Sequence, residues 1–213
     1  MTIFLMPMFM GTMVTGMLLI RYIQASHMCR DMADMYIHQS DFSTYPMQQL
    51  AQRLASGLNL QIGGSFAGNN ANNTSNGGSG IVTVSQIMYI GPTTAPSCAA
   101  IGASVCTNHD SFVLTQRIQF GNGTLLTQSP SSLGATSAVV SNAGIVQNIV
   151  TDSRAKLQEP AQTNMRNLWQ VSTGGRTPLV DGQVSYVVET YFTASDLSLG
   201  SFTATGVYAR YFF

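Results

Sequence analysis

The first twenty residues of this 213-residue chain contain no charged side chain, and this run limits the possible folds more than any other feature. The only clearly polar residues in Met1–Ile20 (MTIFLMPMFMGTMVTGMLLI) are three threonines. Twenty helical residues span about 30 Å, which is the thickness of the hydrocarbon core of a bilayer. The run therefore predicts a helix that inserts into a membrane.

Two other interpretations of this run are a secretory signal peptide and a buried core helix. A signal peptide carries a basic residue before its apolar stretch, whereas the first charged residue here is Arg21. The helical pattern also continues past Arg21, because residues 17–45 contain no Gly or Pro and apolar residues recur at three- and four-residue spacings. We therefore predict one helix from about residue 2 to about residue 40, which is about 60 Å long and projects from a domain.

Small residues within the apolar run predict local features of this helix. Pro7 removes a backbone donor and predicts a kink or local unwinding. Thr12 and Gly16 form a small-xxx-small pair, which allows close approach of a second helix. The alternative is that Gly and Thr are simply tolerated in apolar helices.

The rest of the chain, residues 41–213, has the pattern of an α+β head domain. A second helix is predicted at about Pro46–Leu58, with Pro46 in its first turn. Its apolar stripe is expected to pack against the first helix and consists of Met47, Leu50, Leu54 and Leu58. Residues 63–80 (GGSFAGNNANNTSNGGSG) predict a flexible, exposed loop, because Gly, Asn and Ser cannot form a core. A further short helix is predicted at either Val146–Leu157 or Asn164–Val171.

Alternating apolar residues predict four strands in the head domain. They are Ile81–Ile90, Ser111–Phe120, Val184–Thr193 and Gly206–Phe213. Turn signals such as Gly91-Pro92 and Asp181-Gly182 separate them. The expected fold is therefore α+β, with a long hydrophobic N-terminal helix and a small antiparallel β-sheet.

The charge composition excludes one class of partner. Only 8% of the residues are charged, against roughly 25% in an average domain. Lys and Arg together number nine, as do Asp and Glu, so the net charge is zero. A nucleic-acid-binding protein needs a basic patch, so no nucleic-acid partner is expected.

Two of the three cysteines predict a disulfide. Cys98 and Cys106 lie eight residues apart in a loop rich in Pro, Gly and Ala. This spacing is typical of a small disulfide loop in an exported domain, and the alternative is two unrelated reduced thiols. A zinc site would need more ligands than His109 supplies. Cys29 lies in the long helix and is expected to be a small buried thiol.

Four titratable residues share one face of the predicted long helix. His27, Asp31, Asp34 and His38 fall at helical offsets of 0, 4, 7 and 11. One interpretation is a metal site, and the other is the polar face of an amphipathic helix in which Arg30 pairs with Asp34. The second is favoured because chance often produces this spacing, so no metal site is predicted.

Asn-x-Ser/Thr triplets make Asn73 and Asn122 possible glycosylation sites, although the triplet is a weak signal in Asn-rich sequence. No nucleophile elbow, phosphate loop or HExxH motif is present in the sequence. The sequence therefore predicts no catalytic residues, no cofactor and no enzyme activity.

An apolar N-terminal helix that becomes amphipathic and carries a small β head resembles the plan of type IV pilins. The residues resemble most closely the TadE-like proteins of tight-adherence pilus systems. The similarity lies in the early Pro of FLMPMFMGTM, in Arg21-Tyr22, in QASHMCRDMADMYIHQSDFS (residues 24–43) and in the final TGVYARYFF. Type IV pilins carry Glu at the fifth mature position, whereas this sequence has Leu5 and no acidic residue before Asp31.

This resemblance implies a structural subunit of an extracellular pilus-type filament that polymerises with copies of itself. It further implies contact with the lipid bilayer and with pilus assembly machinery at the inner membrane before assembly, then location on the bacterial surface. The residues expected in the membrane helix and filament core are Phe4, Leu5, Pro7, Phe9, Gly11, Thr12, Gly16 and Leu19. Alternative functions are a membrane-anchored minor initiator or tip adhesin, and an ordinary single-span protein.

Overall fold

The computed structural model describes residues 2–129, 131–134, 138–169, 179–194 and 206–213, and for the first helix it describes the side chains of Met6 and of residues from Met8 onward. In chain order the helices and strands are α1 (Thr2–Ile37), α2 (Tyr45–Leu54), β1 (Asn72–Ser75), β2 (Gly80–Ile90), α3 (Pro96–Ala99), β3 (Ser111–Asn122), α4 (Ala161–Trp169), β4 (Val184–Phe192) and β5 (Val207–Phe212). Short 3₁₀ turns lie at Ser56–Leu58, Gly123–Leu126 and Ser153–Ala155.

Helix α1 is a single helix of 36 residues that passes through Pro7 without interruption. It ends at Ile37, about three residues before the predicted end. Gln39, two residues later, adopts a positive φ of 64°. In its second half, residues spaced three and four apart are buried against one face of the sheet. They are Ala25, Met28, Cys29, Met32, Ala33 and Tyr36.

The prediction of a membrane-spanning N-terminal helix is wrong for the part of the chain that the structure describes. Within residues 8–37, α1 is not apolar enough to cross a membrane, and no other helix in the described part meets the requirement. A stretch of bilayer length within these residues continues past Ile20 and therefore includes Arg21 and Gln24.

The five strands form one mixed sheet in the order β1-β3-β2-β4-β5. Strand β1 is parallel to β3, and the other neighbours are antiparallel. Strands β2 to β5 lie where alternating residues predicted them, with ends that differ by two residues or fewer. The prediction of an antiparallel sheet is wrong because β1 comes from the segment 63–80, which was expected to be a flexible loop.

Side-chain amides, rather than apolar side chains, hold β1 in place. The Asn73 side chain is only 4% exposed, and its Nδ2 donates to Oε1 of Gln48 at 2.8 Å. Gln48 lies in α2 and donates through Nε2 to the carbonyl oxygens of Phe42 and Asn70, at 2.8 and 2.9 Å. A segment without apolar residues is thus ordered by satisfied buried hydrogen bonds.

The same contacts orient α2 differently from the prediction. Gln48 and Ala51 are buried, whereas Leu50 and Leu54 of the predicted inward stripe are 39% and 45% exposed. Burying the Gln48 amide between its three partners turns this pair of leucines outward. Leu58, the last residue of the predicted stripe, is buried.

Both faces of the sheet are covered. Helix α1 covers one face, where Val84, Ile118 and Val188 are buried. On the opposite face, residues such as Phe112 and Val187 are buried under a cluster that includes Leu133, Val146, Leu157 and Met165. Helix α4 overlaps the predicted short helix Asn164–Val171, whose residues 170 and 171 lie outside the described part of the chain. The other, Val146–Leu157, contains only the 3₁₀ turn Ser153–Ala155.

Candidate interaction surface

The first half of α1 is the largest apolar feature that the head leaves uncovered. We call residues 6–24 of this helix the arm, because Ala25 is the first fully buried residue along it. Exposed fractions on the arm reach 74% at Met8, 67% at Phe9 and 59% at Leu19. Single apolar side chains are often exposed, but a contiguous patch of this size is unusual in a folded domain.

Apolar side chains lie on all sides of the arm. Consecutive helical residues are about 100° apart, so exposed Met8, Phe9 and Met10 point in three directions. The Thr12 hydroxyl donates to the Phe9 carbonyl at 2.8 Å, and Thr15 donates to Gly11 at 2.8 Å. Since these hydroxyls are satisfied within the helix, the arm presents an almost purely apolar surface up to Ile20, and Arg21 and Gln24 lie near its end.

Two glycines provide flat positions on this surface. A Cβ added at Gly11 or Gly16 would meet no atom within 4 Å. The predicted small-residue pair of Thr12 and Gly16 is therefore accessible to a second helix, which can approach closely where side chains are small.

The structure places the described members of the predicted filament-core set on the arm. Phe9 and Leu19 are exposed there, together with Gly11, Thr12 and Gly16. The side chains of Phe4, Leu5 and Pro7 lie outside the described residues.

The exposed area of the arm is large in energetic terms. Nine strongly exposed side chains contribute on the order of 1,000 Å², counting roughly 200 Å² for each fully exposed group of this size. They are Met6, Met8, Phe9, Met10, Met13, Leu19, Ile20, Tyr22 and Ile23. Monomeric proteins rarely expose more than a few hundred Å² in one patch. Burial of about 1,000 Å² contributes on the order of 25 kcal/mol before the entropic costs of association.

The predicted disulfide between Cys98 and Cys106 is confirmed, with Cα atoms 5.2 Å apart. Both cysteines are buried with Ile90 and Val113 in a small apolar cluster at the end of the sheet. The third cysteine, Cys29, is buried, and its Sγ donates to the Val188 carbonyl at 3.2 Å. Burial raises the pKa of the Cys29 thiol to about 12, so it remains protonated at neutral pH.

Removing the disulfide should measurably destabilise the head. The eight-residue separation gives a loop-closure contribution of about 2–3 kcal/mol. We expect the Cys98→Ser/Cys106→Ser variant to lose that amount of unfolding free energy in urea titrations under oxidising conditions. Addition of a reductant should lower the stability of the parent chain to that of the variant. A parent chain that is unaffected by complete reduction would contradict this expectation.

Asp181 attaches the disulfide loop to the start of β4. Its carboxylate accepts from the Gly91 amide at 2.7 Å, from the Ser97 amide at 2.9 Å and from the Ser97 hydroxyl at 2.6 Å. Burial opposes ionisation, but the hydrogen bonds from Ser97 and Gly91 outweigh it and lower the pKa of Asp181. The ionised carboxylate therefore stabilises this end of the head.

This pKa shift predicts a pH-dependent stability. The folded-state pKa of Asp181 lies below its unfolded value of about 3.9. The stabilisation is complete above that value and is lost as the pH falls through the folded pKa. Asp181→Asn should lower the unfolding free energy by about 1 kcal/mol at neutral pH, allowing for solvent screening, and by much less near pH 2. Urea unfolding at both pH values measures this, and exposed Asp34→Asn serves as the control.

A buried polar cluster that the sequence analysis missed lies on the sheet face opposite α1. Glu189 is 3% exposed and accepts from the Ser132 amide at 2.9 Å, from the Ser132 hydroxyl at 2.5 Å and from the Tyr208 hydroxyl at 2.5 Å. Ser131 also donates to Glu189 and accepts from Nη2 of Arg117 at 3.3 Å. This cluster fastens residues 131–134 to the sheet.

Burial lowers the pKa of Arg117, and the charge of Glu189 opposes that shift. Desolvation and the Glu189 carboxylate raise the pKa of Tyr208. The Ser131 hydroxyl connects Arg117 to Glu189, because it accepts from Arg117 and donates to Glu189. No sequence signal identifies this pair, because the two residues lie 72 positions apart (189 − 117) on strands that are not adjacent.

The four titratable residues along α1 and just after it lie in solvent. His27, Asp31, Asp34 and His38 are exposed, and Nδ1 of His38 lies 3.8 Å from an oxygen of Asp34. Among the residues that the structure describes, no three His, Cys, Asp or Glu side chains are grouped to hold a metal ion. These residues form a solvated helix face in the structure.

The structure places both candidate glycosylation asparagines in hydrogen-bonded positions. Asn73 donates its Nδ2 to Gln48, and Asn122 donates its Nδ2 to the Gly78 carbonyl at 2.9 Å. Their exposed fractions are 4% and 8%. A glycan on either nitrogen would require the loss of these contacts in the folded head.

Comparisons of the chain with protein-family models, with curated proteins and with solved structures gave no match.

Proposed function

We propose that the chain is a structural subunit of an extracellular pilus-type filament that polymerises through the arm. The observation that supports this most is an apolar helix exposed on all sides, with flat positions at Gly11 and Gly16. A single partner helix would cover only one side of it. Several copies of the arm packed together would cover all sides.

The geometry of the arm also favours an open polymer over a closed dimer. Helix α1 is a rod whose second half, from Ala25 onward, is already packed against its own sheet. When such rods stack with an axial shift, each subunit presents one surface to a different surface of the next, and the assembly continues as a helix. Flexible methionines at positions 6, 8, 10 and 13 suit an interface that must fill irregular gaps.

Imaging tests the proposal. The full chain, purified in detergent and then freed of it by dialysis, is expected to form filaments visible by electron microscopy. Surface filaments sheared from cells and labelled with an antibody to the head should carry the label along their whole length. Label found only at filament ends would instead indicate that the chain is an initiator or tip subunit. Amorphous aggregates in vitro together with no label on sheared material would refute the filament proposal.

A further inference from the structure

The sheet face opposite α1 contains a cleft of about 480 Å³ beside the edge strand β1. It lies between β3 and residues 131–134 and 138–142. Its lining combines apolar surface with polar side chains from separate parts of the chain. They are Asn70, Asn72, Arg117, Gln119, Ser141 and Asn142.

Backbone hydrogen bonds hold the walls of the cleft together. The Ala71 amide donates to the Asn142 carbonyl at 2.8 Å, and the Gln119 amide donates to the Ala71 carbonyl at 2.6 Å. The Arg117 amide donates to the Gly144 carbonyl at 2.9 Å. Gly144 has a φ of +75°, and a Cβ there would lie 2.1 Å from the Arg117 carbonyl oxygen, so only glycine permits this close contact.

Arg117 presents hydrogen-bond donors to the cleft from a fixed position. Its Nη1 donates to the Gly134 carbonyl at 2.5 Å and its Nη2 donates to Ser131. Each of these nitrogens carries two protons, so a second proton on each is available to a ligand. Among the described residues, the exposed side-chain amides of Asn72 and Asn142 have no hydrogen-bond partner.

We propose that this cleft binds a glycan, through one or two sugar units. Amides, hydroxyls and a guanidinium provide both donors and acceptors at short range, which complements the hydroxyl groups of a sugar. Ala71 and Val140 add small apolar surfaces for its C–H faces. The volume lies within the range of small-molecule sites, about 300–1,000 Å³. Glycan binding in this cleft does not require filament formation.

Ligand-observed NMR on the full chain tests the proposal. The detergent must carry no sugar head group, so that it cannot occupy the cleft. The probes are a glucose disaccharide, an N-acetylglucosamine disaccharide and a galacturonate disaccharide. We expect saturable, millimolar binding of at least one of them. Binding of the galacturonate alone would indicate that Arg117 binds the sugar carboxylate. Binding of a neutral disaccharide would indicate that the side-chain amides bind the sugar hydroxyls.

Two substitutions at Asn142 locate the binding. Asn142→Ala removes one hydrogen-bonding group and should weaken binding by about tenfold. Asn142→Trp fills the cleft from an exposed position and should abolish binding. Asn76→Ala, an exposed asparagine outside the cleft lining, is the matched control and should bind as the parent does. No saturable binding of any probe, or equal binding by the parent and the Trp variant, would overturn the proposal.

Discussion

Replacing Leu19 by aspartate is expected to prevent assembly of the filament. Leu19 lies on the arm with an exposed fraction of 59%, so the folded subunit tolerates a charge there. Packing of the arm against other copies would bury that carboxylate without a partner, at a cost of several kcal/mol. The concentration needed for polymerisation should therefore rise by more than about 100-fold. Sedimentation of polymer from a dilution series measures this concentration.

Val180→Asp is the matched control, because Val180 is also 59% exposed but belongs to the head. The Val180→Asp variant should polymerise at the same concentration as the parent chain. A second arm variant, Gly16→Leu, adds bulk where the structure leaves open space. It should shift assembly in the same direction by obstructing close helix approach. Normal assembly of the Leu19 variant would exclude the arm as the polymer interface.

The largest expected loss of stability follows from Glu189→Ala. This change leaves Arg117 without its counter-charge and leaves Ser132 and Tyr208 without their acceptor. Removal of one partner from a buried charged pair costs about 3–5 kcal/mol. Urea unfolding followed by circular dichroism measures the loss as a lower transition midpoint at unchanged slope.

Two variants separate the charge from the hydrogen bonds. Glu189→Gln keeps an acceptor but removes the charge, so it should be destabilised by less than the alanine variant. The double variant Glu189→Leu/Arg117→Met removes both charges and should recover part of the loss. Exposed Glu159→Ala is the control. Equal stabilities for the Glu189 and Glu159 alanine variants would show that the cluster contributes nothing to folding.

Helix α1 and four of the five strands could be predicted because their signals are local. Met28, Met32 and Tyr36 recur at helical spacing, and all three are buried, as this spacing predicts. Apolar alternation likewise located β2 to β5. In both cases, which side chains are buried follows from the geometry of one element alone.

The missed features depend on contacts between distant residues. Strand β1 contains Asn, Thr and Ser, and the Gln48–Asn73 hydrogen bond that orders it links positions 25 apart. The same glutamine reverses the expected orientation of Leu50 and Leu54. The membrane prediction was wrong for residues 8–37, because a stretch of bilayer length there includes Arg21 and Gln24. The sequence predicted which residues form the candidate surface, but only the structure shows that their side chains are exposed.

In the proposed polymer, the continuity of α1 would have a mechanical consequence under tension. One uninterrupted helix would link the packed arms to the head, and no Gly or Pro follows Gly16 within it. A pulling force applied to the assembled rod therefore passes along the backbone hydrogen bonds of α1 without a hinge. It reaches the packing of Ala25, Met32 and Tyr36 against the sheet as shear. The strength of the filament would then be limited by how tightly each head packs against its own α1.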